Sequence, residues 1–253
     1  KMNAGNIYDY INEIAPFSAQ AEWDNSGFQV GERGQEVKKV LLALDPTAAL
    51  IQEAKDLNCE MIITHHPVLF HPAKQFTEQN VAYLAARAGI TVLSAHTSYD
   101  CADAGVSDVL AKTVGLQNIY SKENPFLRYG SIEPQIVKDF AESVKNTLHA
   151  AVTFNLPEKE IRLVAVCGGA GSDFWQEAKE NGADLLLTGE AHHHEYLDSA
   201  AADMALMTAG HFETEFPAVK ALQAKLQMRF PEIEFVLSCQ IAPVQYTGFE
   251  KEV

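Results

Sequence analysis

The chain has 253 residues, 47% of them hydrophobic, and a formal net charge of −15. That length can bury a substantial core and permits one large domain or two of ordinary size. An acidic surface repels phosphate backbones, and Lys38-Lys39 and Lys220, Lys225 and Arg229 are too short or too spaced to form a basic patch, so no nucleic-acid partner is expected. Cys59, Cys101, Cys167 and Cys239 are scattered without a CxxC pair, which reads as reduced thiols in a cytoplasmic protein. No apolar run reaches membrane-spanning length, and the amino end lacks a basic-then-apolar signal pattern, so no membrane partner is expected.

In chain order, Ile7, Tyr10, Ile11 and Ile14 predict a helix that Pro16 ends. The stretch Glu22 to Gly31 reads as a polar loop carrying one tryptophan, either a turn with an anchoring aromatic or a loop packed near a site. Val40 to Leu44 predicts a strand, and Thr47 caps a helix running to about Leu57. Cys59 to Thr64 is a second strand. It delivers His65-His66 at its carboxyl end, and Pro67 then blocks continuation. A helix over Asn80 to Ala88 and a strand over Ile90 to Ala95 lead to His96 and Asp100. A further helix spans Gly105 to Val114. This β-α-β-α-β-α order is that of a parallel sheet covered on both faces.

The stretch from Leu116 to Tyr129 reads as irregular. Pro134 to Leu148 predicts an amphipathic helix with Pro134 near its first turn. Strands are expected over Ala151 to Leu156, Ile161 to Cys167, Ala183 to Thr188, Met204 to Ala209 and Ile233 to Leu237. Helices are expected over Phe174 to Asn181, His192 to Ala201 and Glu215 to Met228.

Gln52-Glu53-Ala54-Lys55 recurs as Gln176-Glu177-Ala178-Lys179, an offset of 176 minus 52, or 124. The same offset aligns the strands on either side without a gap, which predicts an internal duplication. The expected fold is therefore α/β, with two similar lobes and mainly parallel sheets. The lobes are expected at 1–124 and 125–253, with the boundary at about 115–135. Such lobes could face one another across a shared metal cleft.

Taken singly, an adjacent histidine pair, an Asp after a strand, or His211 followed by Glu215 is more often structural than functional. Together, His65, His66, Asp100, His211 and Glu215 lie at carboxyl ends of expected parallel strands, where one cleft can collect them. Three imidazoles and two carboxylates suit Zn, Mn or Fe(II), and a carboxylate could bridge two cations about 3.5–4 Å apart. His96 and Glu190 are candidates for supporting groups or proton carriers. Glu190 aligns with His66 in the repeat and is the first candidate for a catalytic carboxylate that is not a ligand. Of His192-His193-His194, at most one or two can face a cleft. The stretch Gly168-Gly169-Ala170-Gly171 lacks the spacing of a nucleotide loop and reads as a tight strand-to-helix turn, with a phosphate cradle as the lesser reading.

The Trp23 to Gly27 loop, Ile63-Thr64-His65-His66-Pro67, His96 through Asp100, the glycine stretch, Thr188-Gly189-Glu190, and Gly210-His211 with Thr214-Glu215 resemble, in order, the GTP cyclohydrolase 1 type 2 homologues, also called NIF-three-like proteins. The resemblance implies that His65, His66, Asp100, His211 and Glu215 bind two divalent metal ions. It also implies two related α/β lobes and a toroidal homohexamer. The short middle section leaves no room for the extra domain that some members carry. Three readings follow. One is a metal-dependent hydrolase acting on a nucleotide or related small molecule. Another is a non-catalytic metal-holding or scaffolding ring. The third is a set of polar groups that only cap helices.

Overall fold

The computed structural model describes residues 1–246. The chain forms two compact units. One comprises Lys1–Asp103 with Val219–Ile241, the other Ala104–Ala218 with the stretch from Ala242.

In the first unit, α1 (Ala4–Ile14) starts at Asn3, whose side chain and that of Asn6 cap each other's backbone N–H groups, and it stops before Pro16. There follow β1 (Gly27–Val30), β2 (Lys39–Ala43), α2 (Ala48–Asp56), β3 (Met61–Thr64), α3 (Val81–Ala88), β4 (Thr91–Ser94) and the single turn α4 (Thr97–Asp100). Thr47 Oγ1 accepts the Leu50 N–H at 3.1 Å, as expected of the N-cap. Asn80 does the same for α3, which ends at Gly89 in the left-handed region, φ +68°.

The second unit holds α5 (Val106–Thr113), β5 (Gln117–Tyr120), β6 (Arg128–Ile136), α6 (Val137–Leu148), β7 (Thr153–Phe154), β8 (Glu160–Val166), α7 (Trp175–Glu180), β9 (Leu185–Thr188), α8 (His193–Ala201) and β10 (Ala205–Thr208). Helix α9 (His211–Arg229) starts in this unit, and β11 (Glu234–Leu237) belongs to the first.

The first sheet has the order β1-β4-β3-β2-β11, parallel except at β1. The second has the order β5-β6-β8-β9-β10-β7. Its parallel part is β8-β9-β10, with antiparallel strands on both sides. All residues of β3, β4, β9 and β10 are buried, as strands covered on both faces must be.

The duplication is visible residue for residue. Met61–Thr64 and Leu185–Thr188 are both strands, and the offset is 188 minus 64, or 124. The α2 span maps onto the 3-10 turn Ser172–Phe174 followed by α7.

The division differs from a single cut near residue 124. Leu110 and Ala111 of α5, with Val114 just after it, join the core formed by Phe140, Val144, Val164 and Leu187, so the second unit starts at Ala104. The chain also returns to the first sheet late, where β11 pairs with β2 from Glu234↔Lys39 to Leu237↔Leu42.

Three strands escape the sequence reading: β1, β5 and β6. Pro134 is not in a helix. It lies in β6 within the register shift between Ser131 and Gln135, where the ladder needs no N–H from it. Helix α6 therefore starts at Val137. Helix α9 starts at His211, four residues before the expected Glu215, and carries Pro217 inside. Among the described residues no helix is long and apolar enough to cross a membrane.

Candidate metal-binding half-sites

In the first unit, β3 ends at Thr64, whose hydroxyl donates to the His66 carbonyl at 2.7 Å and so folds the chain back after the histidines. The backbone N–H of His65 donates to Ala43 O and that of His66 to Leu44 O, so the end of β2 holds both residues. His65 Nδ1 lies 2.8 Å from Ala95 O. A carbonyl only accepts, so Nδ1 carries the hydrogen and neutral His65 presents its lone pair at Nε2. His66 Nδ1 meets Asp45 Oδ1 at 2.7 Å, and His96 Nδ1 meets Asp24 Oδ1 at 2.8 Å. Acceptors behind Nδ1 fix each ring and leave Nε2 as the atom able to ligate a cation.

The three rings converge. Their centroids are 5.1 Å apart for His65–His66, 5.2 Å for His65–His96 and 5.4 Å for His66–His96. One ligand nitrogen from each falls within 4.8 Å of the others, close enough to hold one cation. Asp100, at the end of α4, places Oδ1 3.3 Å from His65 Nε2. With the hydrogen on Nδ1, that contact sets a lone pair against a carboxylate. A proton or a cation between them relieves the repulsion.

Asp24 is the residue that sequence reasoning missed. Its side chain is fully buried. Besides His96 it accepts from Thr97 N–H at 3.0 Å, Thr97 Oγ1 at 2.5 Å, Ser26 Oγ at 2.9 Å and Asn25 N–H at 2.7 Å. Burial acts to raise its carboxyl pKa. The hydrogen bonds from His96 and Thr97, the His96 charge and the Asn25 N–H outweigh burial and hold it well below the usual carboxylate range. No local signal marks this role, because His96 lies 72 residues away. Trp23 beside it is 61% exposed, so it is not a buried anchor.

In the second unit, β10 ends at Thr208 and α9 begins at His211. His211 and Glu215 lie one helical turn apart, with Nε2 3.2 Å from Glu215 Oε2. Glu190, two residues past β9, sits behind the ring with Oε1 2.9 Å from Nδ1. Burial acts to lower the His211 pKa. The hydrogen bonds and charges of Glu215 and then Glu190 outweigh burial and raise it to about 9. An imidazole flanked by two carboxylates holds a proton tightly at neutral pH, and a divalent cation can take that proton's place.

The glycine stretch serves this pair. Gly169 has φ +63°, and a Cβ there would strike the Glu215 carboxylate and lie 3.0 Å from His211 Nε2. Its carbonyl accepts from Gly189 N–H at 2.7 Å and from the Thr188 hydroxyl at 2.9 Å. Its N–H donates to Thr214 Oγ1 at 3.1 Å. The turn is thus a brace for the pair, and its Gly169 and Gly171 N–H groups are taken by Thr214 Oγ1 and Thr188 Oγ1.

His192, His193 and His194 are exposed. His192 caps α8 in a reciprocal pair with Glu195 and stacks on His194 at 5.7 Å. Of the five residues expected as ligands, His65, His66 and Asp100 lie in the first unit and His211 and Glu215 in the second, each set beyond the carboxyl end of parallel strands. The first unit adds His96 to its set.

Fold and half-sites define a two-unit α/β protein with histidine and carboxylate groups able to hold metal ions. Residues 2–245 match the model of the Duf34/NIF3 (NGG1p interacting factor 3) family, and the chain belongs to that family. It is 31% identical over 236 residues to a GTP cyclohydrolase 1 type 2 homolog of Clostridium acetobutylicum, covering 87% of this chain and 88% of that one. It is 29% identical to NIF3-like protein 1 of Drosophila melanogaster, covering 81% and 75%. Among solved structures, reduced HcgD from Methanocaldococcus jannaschii superposes with a TM-score of 0.84 at 27% identity, covering 94% of this chain and 98% of that one. Staphylococcus aureus protein SA1388 shares the fold, with a TM-score of 0.89 at 24% identity, covering 97% and 99%.

Proposed function

We propose that this protein binds two divalent metal ions, Zn, Mn or Fe(II), through His65, His66, Asp100, His211 and Glu215, and hydrolyses a nucleotide or related small molecule. The observation that carries the reading is the repeated arrangement of the imidazoles. In each, Nδ1 is engaged by an acceptor, and Nε2 of both His65 and His211 is aimed at a carboxylate. The relatives' name, GTP cyclohydrolase 1 type 2 homolog, supports a nucleotide substrate.

When bound, divalent ions supply Lewis acidity that brings the pKa of a water towards about 7. The chain's own residues do the rest. Ala95, Asp45 and Glu190 fix the ring faces of His65, His66 and His211. Glu190 also stands where it can take a proton from His211 Nδ1 and return it. The chain assembles as a homohexameric ring in the cytoplasm, a state that sedimentation of the purified protein tests.

A second reading has its own support, because the family's description is that of an interacting factor. On it the ions are structural and no turnover occurs. A screen of metal-loaded protein against GTP and phosphoesters separates the two. Hydrolysis abolished by His65→Ala supports the first, and metal content without any turnover supports the second.

A further inference from the structure

Of the large hydrophobic side chains that stand exposed among the described residues, three gather at one place in the first unit. Trp23 is 61% exposed, Phe70 44% and Phe76 57%. They line a cavity of about 390 Å³ together with Asn25, Leu69 and His71. That volume lies within the range of small-molecule sites, about 300–1,000 Å³. The walls are cross-braced. Asn25 Nδ2 donates to Leu69 O at 2.6 Å, and Gln29 Oε1 accepts from the N–H groups of Val68 at 2.6 Å and Leu69 at 2.9 Å. The cavity is therefore preformed.

The imidazole cluster adjoins it through His96, which both Trp23 and Phe70 touch. Trp23 and Phe70 touch, with centroids 5.7 Å apart and planes inclined at 39°, a shallow wedge whose outer faces are exposed. Both rings meet His96 edge-on, at 5.9 and 6.0 Å. His96 also touches His65 and His66. Two exposed π faces in a wedge suit a flat ring, which stacks offset or edge-to-face. A cationic headgroup could also sit on an indole face. Cations held one imidazole away would repel it, so the charge balance favours a neutral or electron-rich ring.

We infer that the wedge of Trp23 and Phe70 binds a planar heteroaromatic ring of the small molecule on which the imidazole cluster acts. The inference deepens the proposed metal-dependent function and rests on it for the fate of the ring; the binding itself is tested separately. Stacking on an aromatic side chain contributes about 1–3 kcal/mol per ring, a factor of roughly 5 to 150 in affinity.

The chain has two tryptophans, Trp23 and Trp175. Trp175→Phe leaves Trp23 as the sole indole reporter. Guanosine is the probe, being flat, bicyclic and free of phosphate charge, with ribose as the control. The account expects saturable quenching of Trp23 by guanosine, none by ribose, and at least fivefold weaker binding in Phe70→Ala. Quenching that rises linearly without saturation, or that Phe70→Ala leaves unchanged, would overturn it. So would Trp23 emission that shifts with protein concentration, since the wedge would then be an interface between copies of the chain. Metal content is measured on the same samples. Saturable stacking in protein that takes up no metal would sink the metal reading and leave the ring site standing.

Discussion

Removing the Asp24 carboxylate tests how the first half-site is built. The side chain is fully buried and accepts five hydrogen bonds, from His96, Thr97 twice, Ser26 and Asn25. A hydrogen bond to a charged group contributes about 1.5–3 kcal/mol, but donors sharing one carboxylate are not additive. Asp24→Ala leaves those donors facing a void, and breaking a buried charged network costs about 3–5 kcal/mol. At about 2–4 °C per kcal/mol for a chain of this size, the thermal midpoint falls by about 6–20 °C. Asp24→Asn keeps the shape and one acceptor oxygen, so its loss is smaller. The sign of the pH effect follows from the depressed pKa. The unfolded chain binds the proton first, near pH 4, so the stabilisation is complete above about pH 4 and is lost as pH falls towards the folded-state pKa. The deficit of Asp24→Asn against wild type therefore shrinks below about pH 4. Calorimetry at pH 7 and pH 3 measures both. A midpoint within about 2 °C of wild type for Asp24→Ala at pH 7, or a deficit that grows in acid, would refute the reasoning.

Gly169→Ala drives a methyl group into the Glu215 carboxylate and should lower metal uptake, whereas Gly182→Ala, also at positive φ but with nothing within 4 Å, should lose stability without losing metal; metal analysis of the two variants checks this. In metal-free protein, His211 is protonated at neutral pH, and its raised pKa stabilises fully below about pH 6.5 and ceases to do so as pH rises through about 9. Glu190→Gln removes one of the two carboxylates at that ring and should bring the pKa down, which NMR titration of the imidazole reads directly. His96→Ala removes one of three converging nitrogens and should weaken cation binding by the first unit's residues, measured by competition with a chelator.

The parts of this fold legible in the sequence are those whose side chains decide their own state. Met61 to Thr64 and Leu185 to Thr188 are apolar runs buried on both faces, and their recurrence at one offset discloses the duplication. The places of His65, His66 and His211 in the fold are legible for the same reason, because strand ends locate them. Illegible parts depend on distant partners. Gly27 to Val30 is only partly buried and is a strand because β4 pairs with it. Arg128 to Ile136 contains Gly130 and Pro134, which read as breakers. Gly130 is there because a Cβ would meet Leu116 at 2.7 Å, and Pro134 because the ladder slips at that point. Trp23-Asp24-Asn25-Ser26-Gly27 reads as a turn, and its importance lies in the His96 and Thr97 that fold onto it. Helix α9 begins before its expected start because the Thr214 N–H donates to the Gly210 carbonyl at 3.1 Å, so the first turn closes ahead of Pro217.

The proposed function requires both half-sites to hold metal. Elemental analysis of chelator-stripped protein reconstituted with Zn, Mn or Fe(II) measures this, with His65→Ala and His211→Ala alongside. About two ions per chain are predicted for the wild type, with a loss in each variant. Negligible uptake by the wild type, or uptake that neither substitution changes, would contradict it.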